Sequence, residues 1–510
     1  MGKMQYYTVK DYVELLETRD MLLEADVEGA QDHVIRTLTY NSKEAGADTL
    51  FICKGAAFKL AYLREALERG AVCYISEKAF DLERQVPCIL VKDIREAMSV
   101  LANFFYNRPW EDLVVTGIGG TKGKSTSAYY MKAVVDDYMA AQGKKESAVI
   151  SSIDIYDGKS LVESHITTPE AVELQQHLRN ALDCGIEYAQ MEVSSQALKY
   201  HRVDDMRFDA AIFLNISEDH ISPIEHKDFE DYFTSKMRMF AKADRAFVNL
   251  DADYIDRILT YAKDAKEFYT FSTKKPEADF YAYNIRKDGH ETLFFVKCAD
   301  FDEEFVLTMP GLFNVENALG VIAAATKLGI PREYIHSGLK RARSSGRMEL
   351  YASEDKTKIA IVDYAHNKLS FEKLFSSMKE EYPDYDIISI FGCPGGKALI
   401  RRRDLGTVAG QYAKKVYLVA EDPGYEPVAD ISADIAQYVK AQNCPYEMIE
   451  DRGEAIKAAI ESSQGKTLFL ITGKGAETRQ KYGSDYLDCP SDVDYVKKYL
   501  TEYDERAEGK

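Results

Sequence analysis

The chain has 510 residues, too many for one ordinary domain; at ~150 residues per domain the length points to roughly three to four. Sixty-five basic against 84 acidic side chains leave a formal net charge of −19. That excludes a nucleic-acid binder held by a broad basic surface, but a phosphate ligand in one local pocket remains open. The hydrophobic fraction of 46% excludes a disordered or low-complexity chain and allows several cores.

At the N-terminus, Met1-Gly2-Lys3-Met4-Gln5-Tyr6 is followed by no apolar signal core, and no run approaches the ~18 apolar residues of a spanning helix. The eight cysteines (53, 73, 88, 184, 298, 393, 444, 489) are scattered without a C-x-x-C pair. They read as buried thiols in a reducing compartment, not as disulfides or a zinc framework. The expectation is a cytoplasmic protein without membrane insertion and without nucleic acid.

Three blocks follow in order, each α/β in character. The first, residues 1–106, has apolar runs at 49–53, 70–75 and 88–91 around a helical stretch at 57–69. The second, 107–345, opens with a buried strand at 113–116, a glycine-rich turn and a helix over 124–138. Further strands are expected at 188–193 and 210–215, with a small-residue helix over 317–328. The third, 346–510, has strands at 359–363, 387–391, 416–419 and 468–471 with helices between them. Such alternation predicts a Rossmann-like, doubly wound parallel sheet, with ligands beyond the carboxyl ends of the strands. The charged tail from Thr501 to Lys510 is expected to fray.

The most specific local signal is Gly117-Ile118-Gly119-Gly120-Thr121-Lys122-Gly123-Lys124-Ser125-Thr126. It follows a strand and opens a helix, where backbone N–H groups and the helix N-terminus meet phosphate oxygens. Lys124 would reach the β- and γ-phosphates and Ser125 would ligate Mg²⁺. The strict G-x-x-x-x-G-K-[ST] spacing is not met, because Ile118 fills the first glycine slot. The loop by itself says nucleotide phosphates; kinase, GTPase, motor and ligase all stay open.

Glu192, at a strand end in Met191-Glu192-Val193-Ser194-Ser195, offers an oxygen ligand to a hard Mg²⁺ ion. Asp219-His220 follow the next strand and could flank the same metal–phosphate centre. Lys236, in Thr234-Ser235-Lys236-Met237, reads on its own as a solvated helix lysine.

Taken together, Gly120-Thr121-x-Gly123-Lys124-Ser125-Thr126, Thr167-Thr168-Pro169-Glu170, Glu192-Val193-Ser194-Ser195, Asn215-x-Ser217-x-Asp219-His220, Gly311-x-Phe313-Asn314-x-x-Asn317-Ala318, Gly346-Arg347-Met348-Glu349 and Asp363-Tyr364-Ala365-His366 resemble the Mur ligases. These are ATP-dependent amide-forming enzymes of peptidoglycan precursor synthesis, and the MurE branch, which adds the third residue to UDP-N-acetylmuramoyl-L-alanyl-D-glutamate, is the nearest in pattern. The resemblance implies three domains: a UDP-sugar-binding domain, a central P-loop ATPase domain and a C-terminal domain for the incoming amino acid. It implies an acyl-phosphate mechanism with ATP and Mg²⁺, and a protein acting as a monomer on the UDP-N-acetylmuramoyl dipeptide and a free basic amino acid.

By the same resemblance Gly120, Thr121, Lys122, Gly123, Lys124, Ser125 and Thr126 hold the triphosphate. Ser125, Glu192, His220 and Lys236 surround Mg²⁺, with Lys236 carbamylated so that a cation becomes an oxygen ligand. Asn314 and Arg347 lie on the adenine and ribose side, with Asp363 and His366 closing from the third block. Thr167, Thr168, Ser194 and Arg202 hold the muramoyl peptide, Ser42 the uridine, and Gly473 and Glu477 the α-amino group of the incoming amino acid.

Departures from the pattern bear on that amino acid. Ligases adding meso-diaminopimelate carry D-N-P-R, whose arginine grips a second carboxylate. Here the stretch is Glu421-Asp422-Pro423-Gly424. Gly424 cannot grip a carboxylate, and Glu421 with Asp422 would attract an ammonium group. L-lysine is therefore expected first, with ornithine or D-lysine behind; a helix-capping or water-facing role for the two acids is the plainer alternative. Lys122 for asparagine, Asn41-Ser42-Lys43 for D-S-R, Gln196 for histidine and Asn367-Lys368-Leu369 for T-P-D are further differences. Other readings are a Mur-like ligase on another acceptor, a phosphotransferase without amide formation, and a silent scaffold that binds UDP-sugar peptides.

Overall fold

The computed structural model describes residues 4–508 other than 56, 57, 84, 165, 219, 220, 222–224, 290, 344 and 345. The described chain forms two compact units. One is Met1–Phe271 with Gly320–Ile335; the other is Ser272–Leu319 with His336–Lys510.

The first unit holds two large sheets and a short antiparallel pair, Tyr7–Thr8 with Val34–Ile35. Helix Val9–Thr18 starts at a Thr8 cap that shares a capping box with Asp11, and it buries Val9, Tyr12 and Leu16 on one side. It covers a five-stranded sheet ordered Leu22–Asp26, Cys88–Val91, Ala71–Ser76, Thr49–Ile52 and Thr37–Thr39. Only the pairing of Leu22–Asp26 is antiparallel. The second sheet runs Leu161–Glu163, Asp154–Tyr156, Ala148–Ile150, Tyr188–Glu192, Val114–Gly119, Phe208–Phe213, Ala243–Asn249 and Glu267–Ser272. From Ala148–Ile150 onward every neighbour is parallel. Glu192 pairs with Ile118 and Phe213 with Gly119, so three adjacent strands end at one level. That level is where a parallel sheet presents its ligand crevice.

The second unit contains an antiparallel meander, Phe280–Asp288, Glu291–Lys297 and Asp302–Leu307, which sequence reasoning did not mark. Its strands carry alternating polar residues instead of a continuous apolar run, the pattern of a sheet with one wet face. Beyond it lies a six-stranded sheet ordered Glu349–Ala352, Lys358–Asp363, Thr467–Thr472, Asp386–Phe391, Lys415–Leu418 and Tyr446–Met448, parallel except at Glu349–Ala352. Thr467–Thr472 is buried along its whole length, as a central parallel strand must be.

Expected strands and helices fall within a few residues of those observed, and the α/β class with large parallel sheets holds. The expected fraying from Thr501 is corrected as far as Glu508, which helix Asp492–Glu508 reaches; residues 509 and 510 lie outside the described residues. Val493, Val496 and Leu500 are buried, and Arg506 reaches Glu461 at 2.7 Å. Glu505 and Arg506 are exposed, on the outer side of an amphipathic helix. All eight cysteines are free thiols, and no helix among the described residues is long and apolar enough to cross a membrane.

Candidate functional site

At the carboxyl end of Val114–Gly119 the chain turns through Gly120 and Gly123, with φ of 147° and 87°, into helix Lys124–Ala141. Both angles suit glycine alone among common residues. The turn is pinned from the neighbouring strand end. Asn215 Oδ1 accepts from the N–H groups of Thr121 and Lys122 at 3.1 and 2.9 Å, and its Nδ2 donates to the Lys122 carbonyl at 3.0 Å. Thr121 Oγ1 meets Tyr232 Oη at 2.8 Å. Asn215 belongs to a motif visible in the sequence, but its pinning role is not, because the contact joins segments 93 residues apart.

Two lysines converge on this loop. Lys124 Nζ donates to the carbonyls of Gly120 and Thr121 at 3.1 and 3.2 Å. Lys236, on helix Phe229–Met237, donates to the Gly120 carbonyl at 2.7 Å and is only 3% exposed. The plain reading of Lys236 as a solvated helix lysine is thereby overturned. Its ammonium also lies 4.9 Å from the centre of the Tyr232 ring, an added stabilisation for a cation out of water.

On the other flank Ser125 Oγ lies 3.2 Å from Ser152 Oγ. Ser152 donates twice to Glu192 Oε1, from its N–H at 2.8 Å and its hydroxyl at 3.1 Å. The expected metal residues Ser125 and Glu192 are thus brought to one place through a serine that sequence reasoning missed. Glu192 is 2% exposed. A hydroxyl and a buried carboxylate are hard oxygen donors and fit Mg²⁺, which keeps several of its waters. His220, with its neighbour Asp219, lies outside the described residues. Among the described residues no group of three His, Cys, Asp or Glu forms a metal cage.

The backbone of Glu192 leads to the expected peptide-holding residues. Thr168 Oγ1 donates to the Glu192 carbonyl at 2.9 Å and accepts from the Ser194 N–H at 3.1 Å. Arg202 Nη1 donates to the Thr168 carbonyl at 3.1 Å, and its Nη2 meets Glu170 Oε1 at 2.7 Å. Lys54 meets the other Glu170 oxygen at 2.7 Å. Burial alone would raise the Glu170 carboxyl; Lys54 and Arg202 outweigh it and hold it below the usual range. Burial draws the Lys54 ammonium down in turn. Thr168, Ser194 and Arg202 therefore form one cluster. Thr167, the residue before Thr168, is half-buried. Ser42 is buried and donates to Glu65 at 2.7 Å.

In the second unit the expected residues form a different kind of cluster. Glu421 follows strand Lys415–Leu418 and is 8% exposed; its Oε2 has no hydrogen-bond partner among the described residues. Gly473, with φ of 103°, makes room for it: a Cβ there would collide with Oε2. Nearby Arg452 is committed to Asp492 at 2.8 and 2.6 Å and to the carbonyls of Ala420 and Thr472. Burial pushes the Glu421 carboxyl up to about 7; Arg452 opposes this and Asp422 adds to it.

Asp422 points to other work. Its Oδ1 accepts from Lys474 Nζ at 3.0 Å and from the Lys481 N–H at 2.9 Å. Lys474 also pairs with Glu477. Burial opposes the Lys474 charge, but Glu477 and Asp422 outweigh it and raise its affinity for the proton. The two adjacent acids, expected to act alike on an ammonium group, thus separate into a paired Asp422 and an open Glu421. Asp363 accepts from the N–H groups of Met348 and Ala365 at 2.9 and 2.7 Å. Arg347 lies over the Tyr364 ring at 4.6 Å, and His366 meets the Tyr364 carbonyl at 2.8 Å. Asn314 is buried, donating to the Pro310 carbonyl at 2.6 Å.

The Mur ligase middle domain matches residues 118–325, and the Mur ligase glutamate ligase domain matches residues 346–475. The UDP-N-acetylmuramoyl-L-alanyl-D-glutamate--L-lysine ligase of Streptococcus agalactiae serotype Ia is 36% identical over 476 residues, 92% of this chain and 93% of its own. A UDP-N-acetylmuramyl-tripeptide synthetase of Lactobacillus delbrueckii subsp. bulgaricus is 33% identical over 490 residues, again 92% and 93%. Among solved structures, a UDP-N-acetylmuramoyl-L-alanyl-D-glutamate--2,6-diaminopimelate ligase shares the fold with a TM-score of 0.67 at 21% identity. The match covers 98% of this chain and 100% of that one. With two domains matched in order and relatives aligned over nine-tenths of its length, the chain belongs to the Mur ligase family.

Proposed function

We propose that this chain is the ATP-dependent ligase that adds the third amino acid, L-lysine, to UDP-N-acetylmuramoyl-L-alanyl-D-glutamate during peptidoglycan precursor synthesis. The observation that carries this reading is the convergence of Lys124, Lys236, Ser125 and Glu192 at the carboxyl ends of adjacent parallel strands, in a chain with lysine-ligase relatives.

The D-glutamyl carboxylate takes the γ-phosphoryl group of ATP and becomes an acyl phosphate. The α-amine of lysine attacks that carbonyl, and the tetrahedral intermediate expels phosphate to leave an amide. Lys124 and Lys236 rest on loop carbonyls; in this reading Lys124 moves from those oxygens to phosphate oxygens and offsets their charge. Mg²⁺, held by Ser125, Glu192, His220 and a carbamylated Lys236, would supply charge neutralisation at the transferred phosphoryl group. Thr167, Thr168, Ser194 and Arg202 orient the peptide, and holding acyl phosphate and amine together makes the second step effectively unimolecular. Asn314, Arg347, Asp363 and His366 serve the nucleoside side, Ser42 the uridine, and Gly473 and Glu477 the amine. Residues 1–106, 107–345 and 346–510 are then the uridine, nucleotide and amino-acid domains.

For the amino acid, Gly424 offers no group to grip a second carboxylate, and the open Glu421 carboxyl suits an ammonium. The test is phosphate release with ATP, Mg²⁺ and UDP-N-acetylmuramoyl-L-alanyl-D-glutamate, offering L-lysine, meso-diaminopimelate, L-ornithine and D-lysine one at a time. Release that requires L-lysine is expected. Release with diaminopimelate alone would keep the family and overturn the reading of Glu421 and Gly424.

A further inference from the structure

Glu381 is the last residue of helix Lys368–Glu381. A carboxylate there faces the negative end of the helix dipole, so it is disfavoured by its own helix. Its side chain is nevertheless fully buried. It is kept there by four donors. The N–H groups of Gly311 and Leu312 reach its two oxygens at 3.2 and 2.9 Å, Ser377 Oγ donates at 2.8 Å, and Lys287 Nζ lies at 2.9 Å. Four donors satisfy about the whole accepting capacity of a carboxylate.

Two of those donors belong to the turn that builds the position of Asn314. The Gly311 carbonyl accepts from the Asn314 N–H at 2.8 Å, and the Leu312 carbonyl accepts from the Val315 N–H at 3.1 Å. The Asn314 side chain then closes on the Pro310 carbonyl and receives Asn317 Nδ2 at 3.0 Å. A continuous set of hydrogen bonds therefore runs from Glu381 through residues 311 and 312 to Asn314. Gly311 and Leu312 come from the block that also holds the phosphate loop in sequence, and Glu381 from the amino-acid block, yet they meet inside one compact unit.

We infer that Glu381 is a positioning residue for ATP: it fixes the Gly311–Leu312 turn from the C-terminal block and so sets the Asn314 side chain against the nucleoside. This rests on the proposed nucleoside role of Asn314. Glu381→Gln keeps the shape but replaces one accepting oxygen with a donor aimed at another donor, and it strips Lys287 of its charge partner.

The experiment is steady-state phosphate release by four full-length proteins: parent, Asn314→Ala, Glu381→Gln and the double variant. The KM is measured separately for ATP, L-lysine and the UDP-dipeptide. Glu381→Gln is expected to raise the KM for ATP about fivefold, with the other two within about twofold of parent. The double variant should show the KM for ATP of Asn314→Ala alone, because both changes act through one side chain. An unchanged KM for ATP in Asn314→Ala would sink the nucleoside role of Asn314 itself. A raised value there with a parental one in Glu381→Gln, or a uniform rise for all three substrates, would overturn the positioning role. If Glu381→Gln shows no cooperative thermal transition, Ser377→Ala removes one neutral donor from the same carboxylate together with the hydroxyl that accepts from the Leu312 N–H at 3.2 Å. It should shift the KM for ATP in the same direction by a smaller factor, and no shift would overturn the inference.

Discussion

The phosphate loop of the first unit and the acidic pocket of the second both sit at the carboxyl ends of parallel strands, and both bury lysines beside oxygen acceptors. They differ in what those lysines touch. Lys124 and Lys236 rest on backbone carbonyls of the loop, and in the proposed reading phosphate oxygens take the place of those carbonyls at Lys124. Lys474 is locked between two carboxylates, Asp422 and Glu477, and the neighbouring acid, Glu421, is buried with one oxygen lacking a hydrogen-bond partner among the described residues. In the proposed function the first site receives negative charge and the second positive.

The strongest way to break this contrast is at Lys124. Lys124→Ala should lower phosphate release by about 10³-fold, roughly 4 kcal/mol of transition-state stabilisation, while the thermal transition stays near that of the parent. Near-parental turnover would remove the loop from the chemistry. Lys236→Ala is expected to cost about 10²-fold, or ~2.7 kcal/mol. If the parent carries a carbamate there, bicarbonate or short carboxylates should restore part of the loss, because they return an oxygen ligand to the vacated space. Full activity without additives would end that assignment.

How much of each region was legible follows from the range of its contacts. The glycines, Lys124 and Ser125 lie within ten residues, and strand, turn and helix follow from local pattern; the loop could be read directly. Glu192 was placed by its strand end. Ser152 and the clasp of Asn215 could not be read, because each joins segments many residues apart and neither residue type is unusual in a loop. The antiparallel meander escaped notice for a related reason: its strands are half-wet and lack the apolar runs that marked the buried parallel strands. In the second unit the residue types at 421 and 422 were informative, but their division of labour was not. Adjacent acids look equivalent in sequence; only the approach of Lys474 and of the Lys481 N–H to one of them tells the two apart.

Glu421 sharpens the comparison through pH. Its carboxyl is raised from an ordinary 4.5 to about 7, chiefly by burial. Between those values the folded chain keeps a proton that the unfolded chain has released. The group therefore costs stability progressively as pH rises through that window, and the cost is complete above about 7. Glu421→Gln should raise the melting temperature relative to parent at pH 8 and change it little at pH 4.5. The same variant should raise the KM for L-lysine about tenfold at pH 8, close to 1.4 kcal/mol, with the KM for ATP unchanged. An equal melting-temperature difference at both pH values would show that Glu421 titrates like an exposed carboxyl.

Asp422→Asn is the smallest and most discriminating change. It keeps an oxygen for the Lys481 N–H and for Lys474, but removes one of the two charges that hold the buried Lys474. Glu477 remains to pair that lysine, so the loss is partial. The expected result is a two- to threefold rise in the KM for L-lysine, about 0.4–0.7 kcal/mol, transmitted through Lys474 and Glu477, with the KM for ATP unmoved. The order of the two variants is the measurement. If Asp422→Asn weakens lysine use as much as Glu421→Gln does, the substrate ammonium is shared by both acids. The separation of a paired Asp422 from an open Glu421 would then carry no meaning for specificity.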